Sequence, residues 1–181
     1  VQNVDNDPRP IDENFELTSD PILDMLLQGS KWIFPEGVDR VLDWAIVNDG
    51  STSWWPDQEQ VADSIDYVLD KIEEFIDVSF NYLGWYGSKA EANELGSEIN
   101  YVAADFEPGL YGMAYFPSIE MGNLFSVENR FDLGDVKLNR NMYDELTDAS
   151  EAVLADFTYT VVHETGHALG LKHPHDDGGD G

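Results

Sequence analysis

From Val61 to Ile76 the apolar residues Val61, Ile65, Val68, Leu69, Ile72, Phe75 and Ile76 recur three and four positions apart, separated by Asp63, Asp66, Asp70, Glu73 and Glu74. That period puts one apolar stripe along a helix and the acidic residues on the opposite side, with Asp57, after Pro56, as the residue that caps it. A second helical pattern runs over about 151–169, entered through Asp148, Ala149 and Ser150, with Leu154, Phe157, Val161 and Ala168 as packing residues. Other segments carry the strand signature of β-branched and aromatic residues bounded by turn formers. These are residues 40–47, ending at Asn48-Asp49-Gly50, then 78–83, 99–103 after the polar stretch 88–98, and the alternating 136–139. Residues 112–117 form a short strand stopped by Pro117, which suits a sheet edge, where one side of the backbone stays unpaired.

Nearer the start, residues 21–27 read Pro-Ile-Leu-Asp-Met-Leu-Leu and close at Gly29, a short helix with Asp20 as N-cap and Pro21 at its first position. Trp32-Ile33-Phe34 is a further short apolar run. Residues 1–20, with Pro8, Pro10 and few apolar side chains, predict an acidic tail outside the core, and the Asp/Gly-rich end 175–181 predicts a flexible loop. One folded unit over 21–174 remains. Its order of helices and strands predicts a mixed α/β layer: a twisted sheet of about five strands, a long backing helix and a C-terminal helix. No repeat of 20–50 residues is present, which excludes a solenoid or propeller.

Charge narrows the partners. Against 9 Lys and Arg stand 37 Asp and Glu, a formal net charge of −28 over 181 residues. Such a surface repels a phosphate backbone and anionic lipid alike, so nucleic acid is excluded, while divalent cations and salty water remain. No apolar run reaches the 18 or so residues that membrane insertion needs, and Val1-Gln2-Asn3-Val4-Asp5 is not an export signal. The absence of Cys removes disulfides, thiolate metal sites and thiol catalysis.

All four histidines lie in the last 19 residues, three of them within His163-Glu164-Thr165-Gly166-His167-Ala168-Leu169-Gly170-Leu171-Lys172-His173. Four positions apart on a helix, His163 and His167 share a face and can offer imidazole nitrogens to one ion at about 2.0–2.1 Å. Gly170 can end the helix in the left-handed region, so that the chain turns back and His173 reaches the same ion. Three neutral imidazoles leave a tetrahedral Zn²⁺ with one open position, the arrangement of a catalytic site. Glu164, beside the first ligand but pointing elsewhere, is placed to take a proton from the activated water as general base and return it to a leaving amine as general acid. Peptide hydrolysis is the expected chemistry.

At these residues the sequence resembles the metzincin metalloproteases, and residues 164–174, Glu-Thr-Gly-His-Ala-Leu-Gly-Leu-Lys-His-Pro, look most like the serralysin branch. Residues 21–32 are similar to the N-terminal helix and tryptophan of serralysin-like proteins, and the helix from Asp57 sits where theirs does. Residues 112–117 resemble the edge strand above the cleft. The resemblance implies a zincin-type layer, zinc as cofactor, protein or peptide substrates, secretion, and backbone pairing of an extended substrate with Met113, Ala114 and Tyr115, a form of strand addition.

Two departures from that family stand out. Met25, Met113, Met121 and Met142 all precede the zinc motif, so the Met-turn that underlies the metal in metzincins, with the tyrosine after it, is not found in these residues. The resemblance therefore covers the N-terminal subdomain of a catalytic domain, through Pro174. Two functions follow: a zinc endopeptidase, or a non-catalytic zinc-binding fragment that needs a second chain, carrying the Met-turn, to complete the fold. Asp176, Asp177 and Asp180 offer oxygen ligands to Ca²⁺, with a solvated acidic loop as the plainer reading. His175 lies outside the motif.

Overall fold

A computed structural model describes residues 11–12, 26–27, 31–34, 36–48, 58–117, 133–143 and 151–174. In chain order the elements are β1 (Ile11–Asp12), β2 (Lys31–Trp32), β3 (Val41–Val47), α1 (Gln58–Glu73), β4 (Ser79–Tyr86), α2 (Lys89–Glu94), β5 (Ile99–Ala104), β6 (Gly112–Ala114), β7 (Val136–Asn139), α3 (Arg140–Tyr143) and α4 (Glu151–Ala168). The expected helix over 21–27 lies outside the described residues except for Leu26 and Leu27. Of the N-terminal tail, Ile11–Asp12 is described, and it pairs antiparallel with β2.

Five strands form one sheet in the order β4-β3-β5-β7-β6. The first four run parallel, and β6 closes the far edge antiparallel to β7. This is the mixed α/β layer with a five-stranded sheet expected from the sequence, with β6 at the edge position its proline predicted. β3 lies inside the sheet, between β4 and β5, because its sequence is apolar on both faces, as an interior strand of a parallel array must be. Leu42, Trp44 and Ile46 are buried on one face, Ala45 and Val47 on the other.

The larger core lies where α1 and α4 cover the sheet. Val61, Ile65, Val68 and Leu69 of α1 and Phe157, Val161 and Ala168 of α4 pack on Trp44, Ile46, Ile99, Tyr101, Val136 and Leu138. Trp44 is stacked on Tyr82 at 4.3 Å and meets Tyr101 edge-on at 5.6 Å. The buried Tyr101 hydroxyl lies 2.8 Å from Thr165 Oγ1, a polar tie that fixes the rotation of α4 over β5. Burial raises the Tyr101 pKa, so this hydroxyl stays protonated.

On the other face, Ala92 of the short α2 packs on Ala45, Val47 and Val102. α2 falls in the stretch read as merely polar. Its start is defined by capping: Ser88 Oγ accepts from Glu91 N at 3.3 Å, and Glu91 Oε2 accepts from Gly87 N at 3.0 Å. The fully buried Asp135 carboxylate holds α2 to the sheet, 3.5 Å from Lys89 Nζ and accepting from Asn100 Nδ2 at 2.8 Å. β4 extends past its expected end to Tyr86 because a bulge between the Trp44 and Ala45 registers, at Gly84 with φ +121°, lets pairing resume. No described helix is long and apolar enough to cross a membrane.

Candidate metal centre

α4 packs against β6 and β7, so one flank faces the sheet edge and the next is half-open. His163 and His167, one turn apart, share the half-open flank with ring centroids 4.8 Å apart. The helix then ends as the sequence predicted, through Gly170 at φ +100°. Leu171 N donates to Gly166 O and Gly170 N to His167 O, both at 2.9 Å, the paired bonds of a Schellman turn. The reversal brings His173 back, with its Nε2 3.0 Å from His163 Nε2 and 3.2 Å from His167 Nε2.

The donor set suits zinc. Leu171 O can only accept, so His167 Nδ1, 2.6 Å away, carries the proton and leaves the Nε2 lone pair directed at the cluster. Burial first, and then the proximity of His167 and His173, lowers the His163 pKa, which favours the neutral imidazole that a metal requires. Nitrogens bound tetrahedrally at about 2.0–2.1 Å lie about 3.3 Å apart, close to both separations seen. The three ligand atoms all lie within 4.8 Å of one another.

Glu164 occupies the adjoining flank, 7% exposed and directed at β6. Burial pushes its pKa up to about 7, while His173 and the backbone N–H of Ala114 favour the ionised form. The close approach depends on Gly112. A Cβ there would lie 2.8 Å from Thr160 Cγ2 and 2.9 Å from Glu164 Cγ.

Pairing along β6 alternates. Asn139 N donates to Tyr111 O at 2.8 Å and Tyr115 N to Asp135 O at 3.0 Å, so Tyr111, Met113 and Tyr115 turn their backbone groups toward β7. Gly112 and Ala114 turn theirs away from β7, where the Ala114 N–H meets the Glu164 carboxyl group. Of the three residues expected to pair with a substrate backbone, Ala114 alone faces outward, and Gly112 joins it, because a strand presents alternate residues to alternate neighbours. Aromatic rings flank the cluster: Tyr159, 71% exposed, is stacked on His163 at 6.1 Å, and Phe116 meets His167 edge-on at 5.4 Å. His175, Asp176, Asp177 and Asp180 lie outside the described residues.

Sequence reasoning gave no role to Gly112 or the Leu171 carbonyl, and it marked Trp32 by resemblance alone, without the bond its indole Nε1 donates to Ala168 O at 3.0 Å. Only the glycine that opens the short edge strand could have been noticed; the other two contacts leave no local pattern.

No family model and no curated relative matches the chain. Among solved structures it is similar to two of myroilysin. One is 20% identical, with 79% of this chain and 52% of that chain covered and a TM-score of 0.45. The other is 16% identical, with 78% and 49% covered and a TM-score of 0.43. The chain thus spans about half the length of those structures.

Proposed function

We propose that the chain is a zinc-dependent endopeptidase in which His163, His167 and His173 hold the metal and Glu164 is general base and then general acid. The observation that carries this reading is the convergence of three imidazole rings, with His173 Nε2 within 3.2 Å of both other Nε2 atoms, beside the buried Glu164 carboxyl group. Zinc in such a site supplies Lewis-acid polarisation of a carbonyl and lowers the pKa of water. Glu164 can take a proton on a carboxylate oxygen and release it to the departing amine, since a carboxyl group held beside the cluster is in place for both steps. The backbone of Gly112 and the carbonyl of Ala114, turned away from β7, favour an extended peptide, which would add as a strand beside β6 and bring its carbonyl to the cluster. The acidity of the chain fits secretion into salty surroundings.

The second reading, a zinc-holding part that needs another chain to work, is favoured by exposed apolar side chains around the cluster: Tyr159, Val162 and Leu171. One experiment separates the two. The purified chain is incubated with zinc and an unfolded protein, alongside Glu164→Ala, with bound metal counted by elemental analysis. Cleavage by the parent alone supports the endopeptidase. One zinc per chain without cleavage supports the second reading, and no bound zinc overturns both.

A further inference from the structure

We infer that Leu26, Leu27 and Trp32 form a clamp that positions the metal-site loop 168–173, with Trp32 as its principal positioning residue; this rests on the zinc reading above. A helix leaves its last four carbonyls without intrahelical partners, and each needs one when buried. Here Thr165 O accepts from Leu169 N, Gly166 O from Leu171 N and His167 O from Gly170 N. The Ala168 carbonyl accepts from a side chain 136 positions away, the Trp32 indole. Two further ties come from Leu26 and Leu27: Leu27 forms an antiparallel bridge with Leu171, and Lys172 N donates to Leu26 O at 2.9 Å. His173 is the next residue.

The clamp is itself held rigid. Trp32 is buried in the main core, and β1 pairs with the strand that carries it. Its ring lies against Gly134, where a Cβ would come within 2.7 Å of Trp32 Cζ2. A locked ring can hold a carbonyl in place, whereas a mobile one cannot. The loop then determines two ligands: it delivers His173, and through the Leu171 carbonyl it orients His167. Partners of this kind act on a metal through the groups they orient, and their loss costs roughly 10- to 100-fold in metal affinity.

The test measures zinc affinity by chelator competition, the visible absorption of the cobalt-substituted protein, and the melting temperature of the metal-free chain. Parent, Trp32→Phe, His173→Ala and the double variant are compared. Trp32→Phe is expected to bind zinc about 10- to 100-fold more weakly and to alter the cobalt spectrum. In the His173→Ala background the same change should cost much less, because the ligand it positions is gone. Zinc affinity of Trp32→Phe within about twofold of the parent overturns the clamp, as does an equal loss in both backgrounds, which marks a general structural role. If Trp32→Phe does not fold, Lys172→Pro decides, since it removes the N–H that Leu26 accepts without entering the core; unchanged affinity there overturns the clamp. A parent that binds no zinc sinks the metal reading itself, an outcome distinct from a parent that binds and a variant that binds equally.

Discussion

The sheet body and the metal-site loop are held together by different kinds of contact. In the body, the α1 stripe, the inner strands and Phe157 and Val161 of α4 form one continuous apolar cluster in which each side chain has several neighbours. In the loop, a few directional bonds fix the arrangement: the Trp32 indole on Ala168, Lys172 on Leu26, and His167 on Leu171. Apolar packing is redundant and non-directional, so its loss lowers stability everywhere at once. Directional bonds are few and placed beside the proposed ligands, so their loss should change the geometry of the histidine cluster before it changes the fold.

The largest expected effect tests the chemistry of the site against its architecture. Glu164→Gln keeps the side-chain volume and removes the proton acceptor. We expect hydrolysis to fall by about 10²- to 10⁴-fold or beyond detection, with zinc stoichiometry retained, measured by peptide turnover and elemental analysis on one sample. Full turnover would remove Glu164 from the mechanism. Next comes the body. Trp44→Ala empties the centre of the aromatic cluster and should cost about 3–5 kcal/mol in denaturant unfolding, while the molecules that remain folded bind zinc as tightly as the parent. A large loss of affinity in the folded fraction would mean that the two regions are not separately held.

A smaller effect sharpens the contrast within the site. Gly112→Ala pushes a methyl group against Glu164 and Thr160 on the sheet flank of α4, away from the imidazoles. If Glu164 is the general base proposed above, its displacement by a few tenths of an ångström should lower kcat roughly 10-fold, since catalytic positioning tolerates little error. Zinc affinity should stay at the parent value. Equal losses in both would show that the flanks of α4 move together.

The same division separates what was legible in the sequence from what was not. α1 and α4 could be read because their apolar period spans several turns, and Val136–Asn139 because it alternates cleanly. The three histidines were legible because their spacing is local: a helical turn, then a glycine that reverses the chain. α2 escaped because six residues are too few for a period to show, although Ser88 and Glu91 already stood at capping distance. The Trp32 bond to Ala168 joins residues at opposite ends of the chain, and the near-neutral pKa of Glu164 comes from burial under β6. Neither leaves a trace in local spacing; both exist only once the sheet has brought distant segments together.

The outer face of α1 belongs to neither the packed body nor the metal loop, and it should matter least. Asp66 sits there among like charges, its pKa raised first by partial desolvation and then by Asp70, Asp63 and Glu73. With the folded pKa above the unfolded one, the native state binds more protons in the window between them, so stability falls as pH rises through that window and the loss persists above it. Asp66→Asn removes this penalty. At pH 7 the variant should be more stable by about 0.2–0.5 kcal/mol, the scale of one like-charge pair on a helix. The gap should close below about pH 3, where the parent carboxyl is also neutral, and narrow in about 1 M salt, where exposed charges are screened. Denaturant unfolding at the two pH values measures it. A gap that survives acidification would mean the residue acts through helix propensity and not through charge, while zinc affinity should be indifferent to the substitution in either case.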